Sequence, residues 1–163
     1  MERRDKTVIG VIGKGSISER HIKNLRSLHP NAMIVSVSST GKNNKIIENS
    51  DASLTLPDLI NLSPKYVIIA SPAPFHLQHA SVLLEKKIDV LIEKPLSDSI
   101  EKSKEFLTKF KSTNNKVFIA YCLRFLPSMI KMKELISNKA FGEIYYIHVN
   151  VGQFLPLWRK GTD

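Results

Sequence analysis

The chain has 163 residues, of which 42% are hydrophobic, and a formal net charge of +9. This length and composition indicate a soluble globular protein with one substantial core, and no apolar run approaches the roughly 20 residues that cross a bilayer. The lysines are scattered with glutamates between them and without interleaved aromatic residues, which argues against a nucleic-acid partner. The single cysteine, Cys122, and the lack of a signal peptide lead us to expect a cytoplasmic protein. We predict neither a membrane partner nor a metal site.

Five short hydrophobic runs are spaced along the first 120 residues. They are rich in valine and isoleucine, which predicts strands that are buried on both faces of a parallel sheet. The predicted strands are Val8–Ile12, Met33–Val37, Tyr66–Ala70, Val90–Ile92 and Val117–Ala120.

Stretches of helical period separate these strands and predict an alternating β-α order. The predicted inward faces are Ile17, His21, Leu25 and Leu28, then Leu77, Ala80 and Leu84, then Ile100, Ser103, Leu107 and Phe110. Asp98 and Glu101 resemble a capping box that opens the last of these helices. Two short helices, Asn43–Glu48 and Pro57–Asn61, are predicted in the polar segment after the second strand. The alternation predicts a doubly wound parallel α/β sheet.

The pattern changes after Tyr121. Pro127–Ser137 predicts a helix whose inward residues are Met129, Met132, Leu135 and Ile136. Ile144–Val151 alternates apolar and mixed positions, which predicts a half-exposed strand of a second sheet. We interpret residues 1–123 as one domain and 124–163 as the first helix and strand of an incomplete second α/β domain. Because this strand would need a partner, we expect a homo-oligomer formed by strand addition or disorder at this end.

A glycine turn joins the first predicted strand to the first helix. Gly13 permits a tight bend, and Gly15 allows a pyrophosphate to approach the backbone. The helix that follows offers free N–H groups and the positive end of its dipole to an anion. Ser18 stands where a third glycine or an alanine is usual, which should loosen the packing of helix on strand slightly. The turn alone is weak evidence for a dinucleotide site.

The end of the second predicted strand lacks an acidic residue. A carboxylate about 20 positions after the glycine turn would hold the ribose 2′-hydroxyl of NAD. Ser38, Ser39 and Thr40 occupy that place, and no Asp or Glu lies between Pro30 and Lys45. Hydroxyl groups and the nearby Lys42 would accept a 2′-phosphate, which favours NADP over NAD. The alternative is an ordinary polar loop.

Three later motifs follow the ends of predicted strands. They are Ser71-Pro72 with His76, Glu93-Lys94-Pro95, and the stretch FIAYCLRFLPSM at 118–129. In order and spacing, these motifs and the glycine turn resemble the Gfo/Idh/MocA family of NAD(P)-dependent sugar and inositol oxidoreductases. The resemblance covers essentially the whole chain and implies a Rossmann-type N-terminal domain, followed by an α/β substrate domain of which most is absent here.

The resemblance also implies roles for particular residues. The residues expected to bind the cofactor, NAD or NADP, are Gly13, Gly15, Ser16, Ile17, Ser18, Ser39, Thr40, Lys42, Ser71, Pro72, His76, Glu93 and Lys94. Those expected near the substrate are Tyr121, Arg124, Trp158 and Arg159, whereas Cys122 stands where the family commonly has asparagine. Lys94 is the expected catalytic residue, because a cation beside the reacting hydroxyl stabilises a developing alkoxide. The family's usual acid/base residues would lie beyond Asp163, so we expect this chain alone not to turn over.

Several alternatives stay open at this point. His21 lies on the apolar face of its helix, which favours a packed structural histidine over a ligand contact. His76 is either a groove residue or a hydrogen-bonding residue at a helix start, and His29, His79 and His148 are interpreted as structural or solvated. The leading function is hydride transfer between NAD(P) and a sugar, inositol or nucleotide-sugar hydroxyl or carbonyl. The runner-up is a non-enzymatic NAD(P)-binding or regulatory module. A third hypothesis is a methyltransferase that uses the glycine turn to bind S-adenosylmethionine, but it would explain neither Glu93-Lys94-Pro95 nor Ser71-Pro72.

Overall fold

The computed structural model describes residues 7–41 and 45–152, in which strands and helices alternate. The strands are β1 (Val8–Ile12), β2 (Met33–Val37), β3 (Ala52–Leu54), β4 (Tyr66–Ile69), β5 (Asp89–Ile92) and β6 (Val117–Ile119). The helices are α1 (Ser16–Leu28), α2 (Leu56–Asn61), α3 (His76–Glu85), α4 (Ile100–Phe110) and α5 (Pro127–Ser137). The strands pair in parallel in the order β3-β2-β1-β4-β5-β6. This is the order of a doubly wound Rossmann-type sheet, and the predicted fold class is confirmed.

Two hydrophobic layers cover the two faces of the sheet. Ile9 and Val11 of β1 pack with Ile22 of α1 on one face. Ile12 of β1 packs with Leu83 of α3 on the other. Alternate residues of one strand point to opposite faces, so a strand that is covered on both sides is apolar throughout. This explains why the strands were recognisable as continuous hydrophobic runs.

Main-chain hydrogen bonds set the carboxyl ends of five strands level with one another. The first residue after each of four strands donates its N–H to the last residue of a neighbouring strand. These bonds are Gly13 N to Val37 O (2.8 Å), Ala70 N to Ile12 O (2.7 Å), Glu93 N to Ile69 O (2.8 Å) and Ala120 N to Ile92 O (2.8 Å). The loops that follow β1, β2, β4, β5 and β6 therefore begin at one edge of the sheet, where open α/β sheets bind their ligands.

The segment before α2 differs from its prediction. Residues 45–48 are not helical, and Asn43 lies outside the described residues, whereas β3 was not predicted. Asp51 accounts for the strand, because its carboxylate accepts the Ile34 N–H at 2.7 Å and its own N–H donates to the Ile34 carbonyl at 2.8 Å. Arg26 of α1 donates to the same carboxylate at 2.7 Å. These tertiary contacts, which local propensity does not report, bring β3 alongside β2.

The predicted inward faces of the helices are correct only in part. In α3 the predicted residues Leu77, Ala80 and Leu84 are all buried. In α1 the buried residues are Ser18, Ile22 and Leu25, and in α4 only Phe106 is buried. The predicted inward residues Leu28, Ile100 and Leu107 are exposed. A surface helix buries only the stripe that its neighbours cover, and these apolar side chains lie outside that stripe.

The first residue of the predicted capping box is also corrected. Ser99, and not Asp98, caps α4, because its hydroxyl accepts the Lys102 N–H at 3.2 Å and donates to Glu101 at 2.8 Å. Asp98 instead accepts from the Lys102 ammonium at 3.4 Å. The predicted short helix at residues 57–61 is confirmed by α2, whose N-cap is Thr55.

The chain contacts divide the protein into two compact units, Met1–Tyr121 and Cys122–Asp163. In the second unit the predicted helix is confirmed as α5, but Met129, Met132 and Ile136 are exposed. Ile144–Val151 forms no strand, because no neighbouring strand within the described part of the chain pairs with it. The homo-oligomer, which was inferred from that strand, and the domain boundary at residues 123 and 124 stay predictions. Among the described residues, no helix has the length and apolar character of a membrane span.

Candidate functional site

The turn after β1 requires glycine at position 13. Gly13 has a φ of +121°, a region that L-residues rarely adopt. A Cβ built there would lie 2.4 Å from the Ala70 carbonyl oxygen and 2.7 Å from the Ser18 hydroxyl oxygen. Gly13 therefore brings the start of α1 against the end of β4. This is the point at which the strand order reverses, and doubly wound sheets form their ligand crevice at such a point.

Gly15 is the N-cap of α1, and it leaves the helix N-terminus open. Its φ is −90°, no side chain caps the helix, and a Cβ built at this position would have no heavy atom within 4 Å. The N–H groups of the first helical turn, at Ser16, Ile17 and Ser18, have no intrahelical acceptor. These donors and the open space beside them fit a pyrophosphate group.

Ser18 serves the packing of α1 and not the open groove. Its side chain is fully buried at 0% exposure, and its hydroxyl donates to the Ala70 carbonyl at 3.5 Å. The hydroxyl is accommodated between α1 and the end of β4, so the substitution leaves the glycine turn intact. Only the backbone of Ser18 remains available for the predicted phosphate contact.

The loop after β2 carries the predicted ribose-binding residues. Ser39 is half-buried and Thr40 is exposed, whereas Lys42 lies outside the described residues. A cation that sequence analysis did not single out reaches toward this side of the sheet. The Lys14 ammonium donates to the Ser53 hydroxyl at 2.6 Å and to the Lys45 carbonyl, and burial lowers the pKa of Lys14. The only feature of the sequence that pointed to Lys14 was its position between Gly13 and Gly15.

Two histidines organise the loop after β4. His76 is 1% exposed, with Nε2 lying 2.6 Å from the Ser71 carbonyl oxygen and Nδ1 lying 2.8 Å from the Pro95 carbonyl oxygen. The Ser71 hydroxyl lies 3.1 Å from Nδ1 of His79. Pro72 is exposed. The side chain of His76 therefore joins the loops after β4 and β5 from within, and its contact with the cofactor stays a prediction.

We expect stability to depend on the neutral form of His79. Burial lowers the pKa of His79 below its ordinary value of 6.5, repulsion from His76 lowers it further, and a hydrogen bond with the Ser39 backbone opposes both. A lowered folded-state pKa contributes stability that is present above pH 6.5 and is lost as the pH falls through the folded value. The free energy of unfolding, measured by urea titration between pH 7 and 5, should fall less steeply in His79→Gln than in wild type. The exposed His29→Gln is the control, and equal slopes for wild type and His79→Gln would contradict this account.

The loop after β5 carries a hydrogen-bonded carboxylate, Glu93, next to an exposed ammonium, Lys94. Glu93 accepts the Lys94 N–H at 3.1 Å and lies 2.8 Å from Nε2 of His21. Burial raises the pKa of Glu93, but these hydrogen bonds and the nearby positive charges outweigh it, so the pKa lies below its ordinary value of 4.5. The Lys94 side chain is exposed, and its ammonium contacts no acceptor among residues 7–41 and 45–152. The Lys94–Pro95 peptide is cis, as the proline allows.

The role expected for His21 from its helix face is corrected by the structure. The sequence favours a packed structural histidine on the apolar face of α1, but the ring instead pairs with Glu93 across the carboxyl edge of the sheet. The periodicity of α1 placed His21 on the inward side correctly. It carried no information about which strand end the ring would meet, because Glu93 is 72 positions away.

The residues predicted near the substrate are exposed or lie outside the described residues. Tyr121 follows β6 in the first unit and is exposed, and Arg124 lies in a short 3₁₀ turn of the second unit. Trp158 and Arg159 lie outside the described residues. Their roles stay predictions.

Residues 7–121 match the family described as an oxidoreductase family with an NAD-binding Rossmann fold, Gfo/Idh/MocA. The chain is 29% identical to an inositol 2-dehydrogenase of Rubrobacter xylanophilus, with 85% of this chain and 42% of that protein covered. It is 30% identical to a glucose-6-phosphate 3-dehydrogenase of Bacillus subtilis, with 93% of this chain and 44% of that protein covered. The chain thus spans less than half the length of these relatives.

Solved structures show the same fold. A scyllo-inositol dehydrogenase of Lactobacillus casei, with bound NAD(H) and scyllo-inositol, superposes with a TM-score of 0.72 at 24% identity over 85% of this chain and 43% of that one. The WlbA dehydrogenase of Bordetella pertussis, in complex with NADH and UDP-GlcNAcA, gives 0.74 at 21% identity over 86% of this chain and 45% of that one. The match over residues 7–121, with which the glycine turn and the level strand ends agree, shows that the chain belongs to the Gfo/Idh/MocA family of oxidoreductases with an NAD-binding Rossmann fold.

Proposed function

We propose that this chain is the dinucleotide-binding part of an NAD(P)-dependent oxidoreductase that acts on a hydroxyl or carbonyl of a sugar, an inositol or a nucleotide sugar. The observation that supports it most directly is the open N-terminus of α1 at the reversal point of the sheet. Gly13 lies so close to the Ala70 carbonyl there that a Cβ would not fit, and Gly15 leaves room for a phosphate. The relatives named above act on inositol and on glucose 6-phosphate, which supports the substrate class.

Each end of the groove has a task in this proposal. The N–H groups of the first turn of α1 bind the pyrophosphate, while the loop after β2 holds the adenosine ribose. When bound, the nicotinamide ring supplies or accepts the hydride. The ammonium of Lys94 is exposed at the end of β5 and contacts no acceptor within the described residues, and it stabilises negative charge on the substrate oxygen as the hydride moves.

An activity assay separates the main proposal, an oxidoreductase, from the alternative, a binding module. We expect these 163 residues to bind the dinucleotide without turnover, and turnover to require the remainder of the length that the relatives have. The alternative is a binding or regulatory module that uses the same groove. Assay of a chain extended by its native continuation, with NAD(P) and an inositol or sugar, distinguishes the two: reduction of the dinucleotide supports the oxidoreductase, and binding alone supports the module.

The binding step is tested by calorimetric titration of the chain with NADH, NADPH and ADP-ribose. Saturable binding of at least one dinucleotide, together with ADP-ribose, is the expected result, because the pyrophosphate and adenosine contacts lie in the ADP-ribose half. If none of the three ligands binds at millimolar concentration, both the oxidoreductase and the binding module are excluded.

We further propose that the cofactor is NADP. The support is the absence of any Asp or Glu from residue 31 to residue 44, together with the hydroxyl groups of Ser39 and Thr40 at the end of β2. A carboxylate introduced there repels a 2′-phosphate and accepts a 2′-hydroxyl instead. We expect Ser39→Asp to weaken NADPH binding by about tenfold or more while NADH binding is retained or improved. The exposed Ser112→Asp is the control. Tighter binding of NADH than of NADPH by the wild-type chain would contradict the preference for NADP.

A further inference from the structure

A largely buried pair of side chains spans the groove from α1 to the end of β5. Nε2 of His21 lies 2.8 Å from Oε1 of Glu93, and the two side chains are 18% and 11% exposed. The second carboxylate oxygen of Glu93 accepts the main-chain N–H of Lys94 at 3.1 Å. A continuous path of two hydrogen bonds thus runs from the His21 ring to the backbone of Lys94.

This path joins the two halves of the groove. His21 is five residues after Ser16, which places it about 7.5 Å along α1 from the first helical turn. That first turn carries the N–H groups assigned to the pyrophosphate, and Lys94 stands at the strand end assigned to the nicotinamide. The Lys94 side chain does not itself hold the loop after β5 in place, because the Lys94 ammonium contacts no acceptor within the described residues.

The His21–Glu93 pair acts as a tether between α1 and the end of β5, because the orientation of the Glu93 carboxylate depends on its hydrogen bond with His21. A largely buried carboxylate that loses its hydrogen-bond donor is left with an unmet desolvation cost, and it must turn toward water to regain a partner. If Glu93 turned away, its second oxygen would leave the Lys94 N–H as well. One of the contacts that fix Lys94 relative to α1 would then be lost, while the bond from the Glu93 N–H to the Ile69 carbonyl and the contact of Pro95 with His76 would remain.

We propose that His21 is a positioning residue that acts through Glu93 to hold Lys94 and the end of β5 at a fixed distance from the N-terminus of α1. On the proposed dinucleotide function, on which this inference rests, the tether orders the nicotinamide end of the groove and leaves the ADP-ribose end unaffected. A residue that merely stabilised α1 would affect both ends alike. The two possibilities therefore differ in which half of the ligand they change.

The affinities of His21→Ala for NADPH and for ADP-ribose test this difference, with each ligand titrated into the 163-residue chain. NADH replaces NADPH if the wild type prefers it. We expect the dinucleotide to bind about tenfold more weakly and ADP-ribose to bind within about twofold of wild type, since only one buried hydrogen-bonded contact is lost. His21→Gln keeps an N–H donor near the place of Nε2 and should restore most of the dinucleotide affinity. His29→Ala, at the opposite end of the same helix, is the matched control.

A second measurement follows the tether itself. The amide resonance of Lys94 in a ¹⁵N-labelled sample should shift in His21→Ala, return toward its wild-type position in His21→Gln, and stay in place in His29→Ala. Equal weakening of both ligands, or an unmoved Lys94 amide in a folded His21→Ala, overturns the positioning role. Failure of the wild-type chain to bind either ligand would instead count against the dinucleotide function, and the Lys94 amide would still report on the tether. If His21→Ala does not fold, Glu93→Gln, which retains an acceptor but removes the charge, is compared in the same two measurements.

Discussion

We expect Gly15→Asp to weaken dinucleotide binding severely and to leave the chain folded. Gly15 has a φ of −90°, which any residue adopts, and its added Cβ meets no heavy atom within 4 Å. Aspartate is among the preferred N-cap residues, so its carboxylate will accept the N–H groups of the first turn of α1 and should stabilise the helix slightly. Those are the donors that the pyrophosphate would use. The carboxylate therefore both occupies the site and repels the phosphates.

We expect affinity for the dinucleotide and for ADP-ribose to fall by about a hundredfold or more, because like charges at contact distance repel by several kcal/mol. Gly15→Asn is the matched control. It has the same shape and capping ability without the charge, so it should bind less weakly than the aspartate variant. Calorimetry gives the affinities and thermal unfolding gives the stability. Wild-type affinity in a folded Gly15→Asp would exclude the N-terminus of α1 as the phosphate site.

We expect Gly13→Ala, by contrast, to destabilise the whole first unit. The new methyl group would lie 2.4 Å from the Ala70 carbonyl oxygen, and the residue would keep a φ of +121°. The backbone strain costs about 1–3 kcal/mol, and displacement of the neighbouring backbone costs a further 1–3 kcal/mol or so. We expect the melting temperature to fall by roughly 10 °C, since a loss of this size is large beside the total stability of a domain.

A second glycine separates the two contributions to this loss. Gly41 also has a positive φ, of +72°, but a Cβ there would meet nothing within 4 Å. Gly41→Ala should therefore show the conformational strain alone, about 1 kcal/mol. Urea titration of both variants gives the two free energies of unfolding. If Gly13→Ala proved no less stable than Gly41→Ala, close contact with Ala70 would not be the reason for glycine at position 13.

The parallel sheet was predictable because burial on both faces leaves a strong mark on the sequence. All five hydrophobic runs proved to be strands, and their β-α alternation gave the doubly wound order. The strand at Ala52–Leu54 left no such mark, since it is short and only half-buried at the edge of the sheet. Its place depends on Asp51, which accepts hydrogen bonds from Ile34 and from Arg26 and so joins separate parts of the chain.

The site was predictable as a set of strand ends but not as a set of contacts. Spacing along the sequence placed Gly13, Ser71 and Glu93 directly after strands, and the structure brings them to one edge. It did not show that the His76 ring would be buried between two loops. Nor did it show that His21 would reach Glu93. Such pairings depend on the twist and stagger of the folded sheet, and a linear pattern does not contain that information.

The bonds that level the carboxyl edge of the sheet are all between main-chain atoms. Any amino acid other than proline can donate such a bond, so these bonds require no particular side chain, apart from Gly13, where a Cβ does not fit. Positions such as Ser39 and Lys94 are therefore free to change without loss of the scaffold that presents them. Substitutions at such positions should change what this edge binds more than they change stability, because stability is carried by the two buried layers beneath.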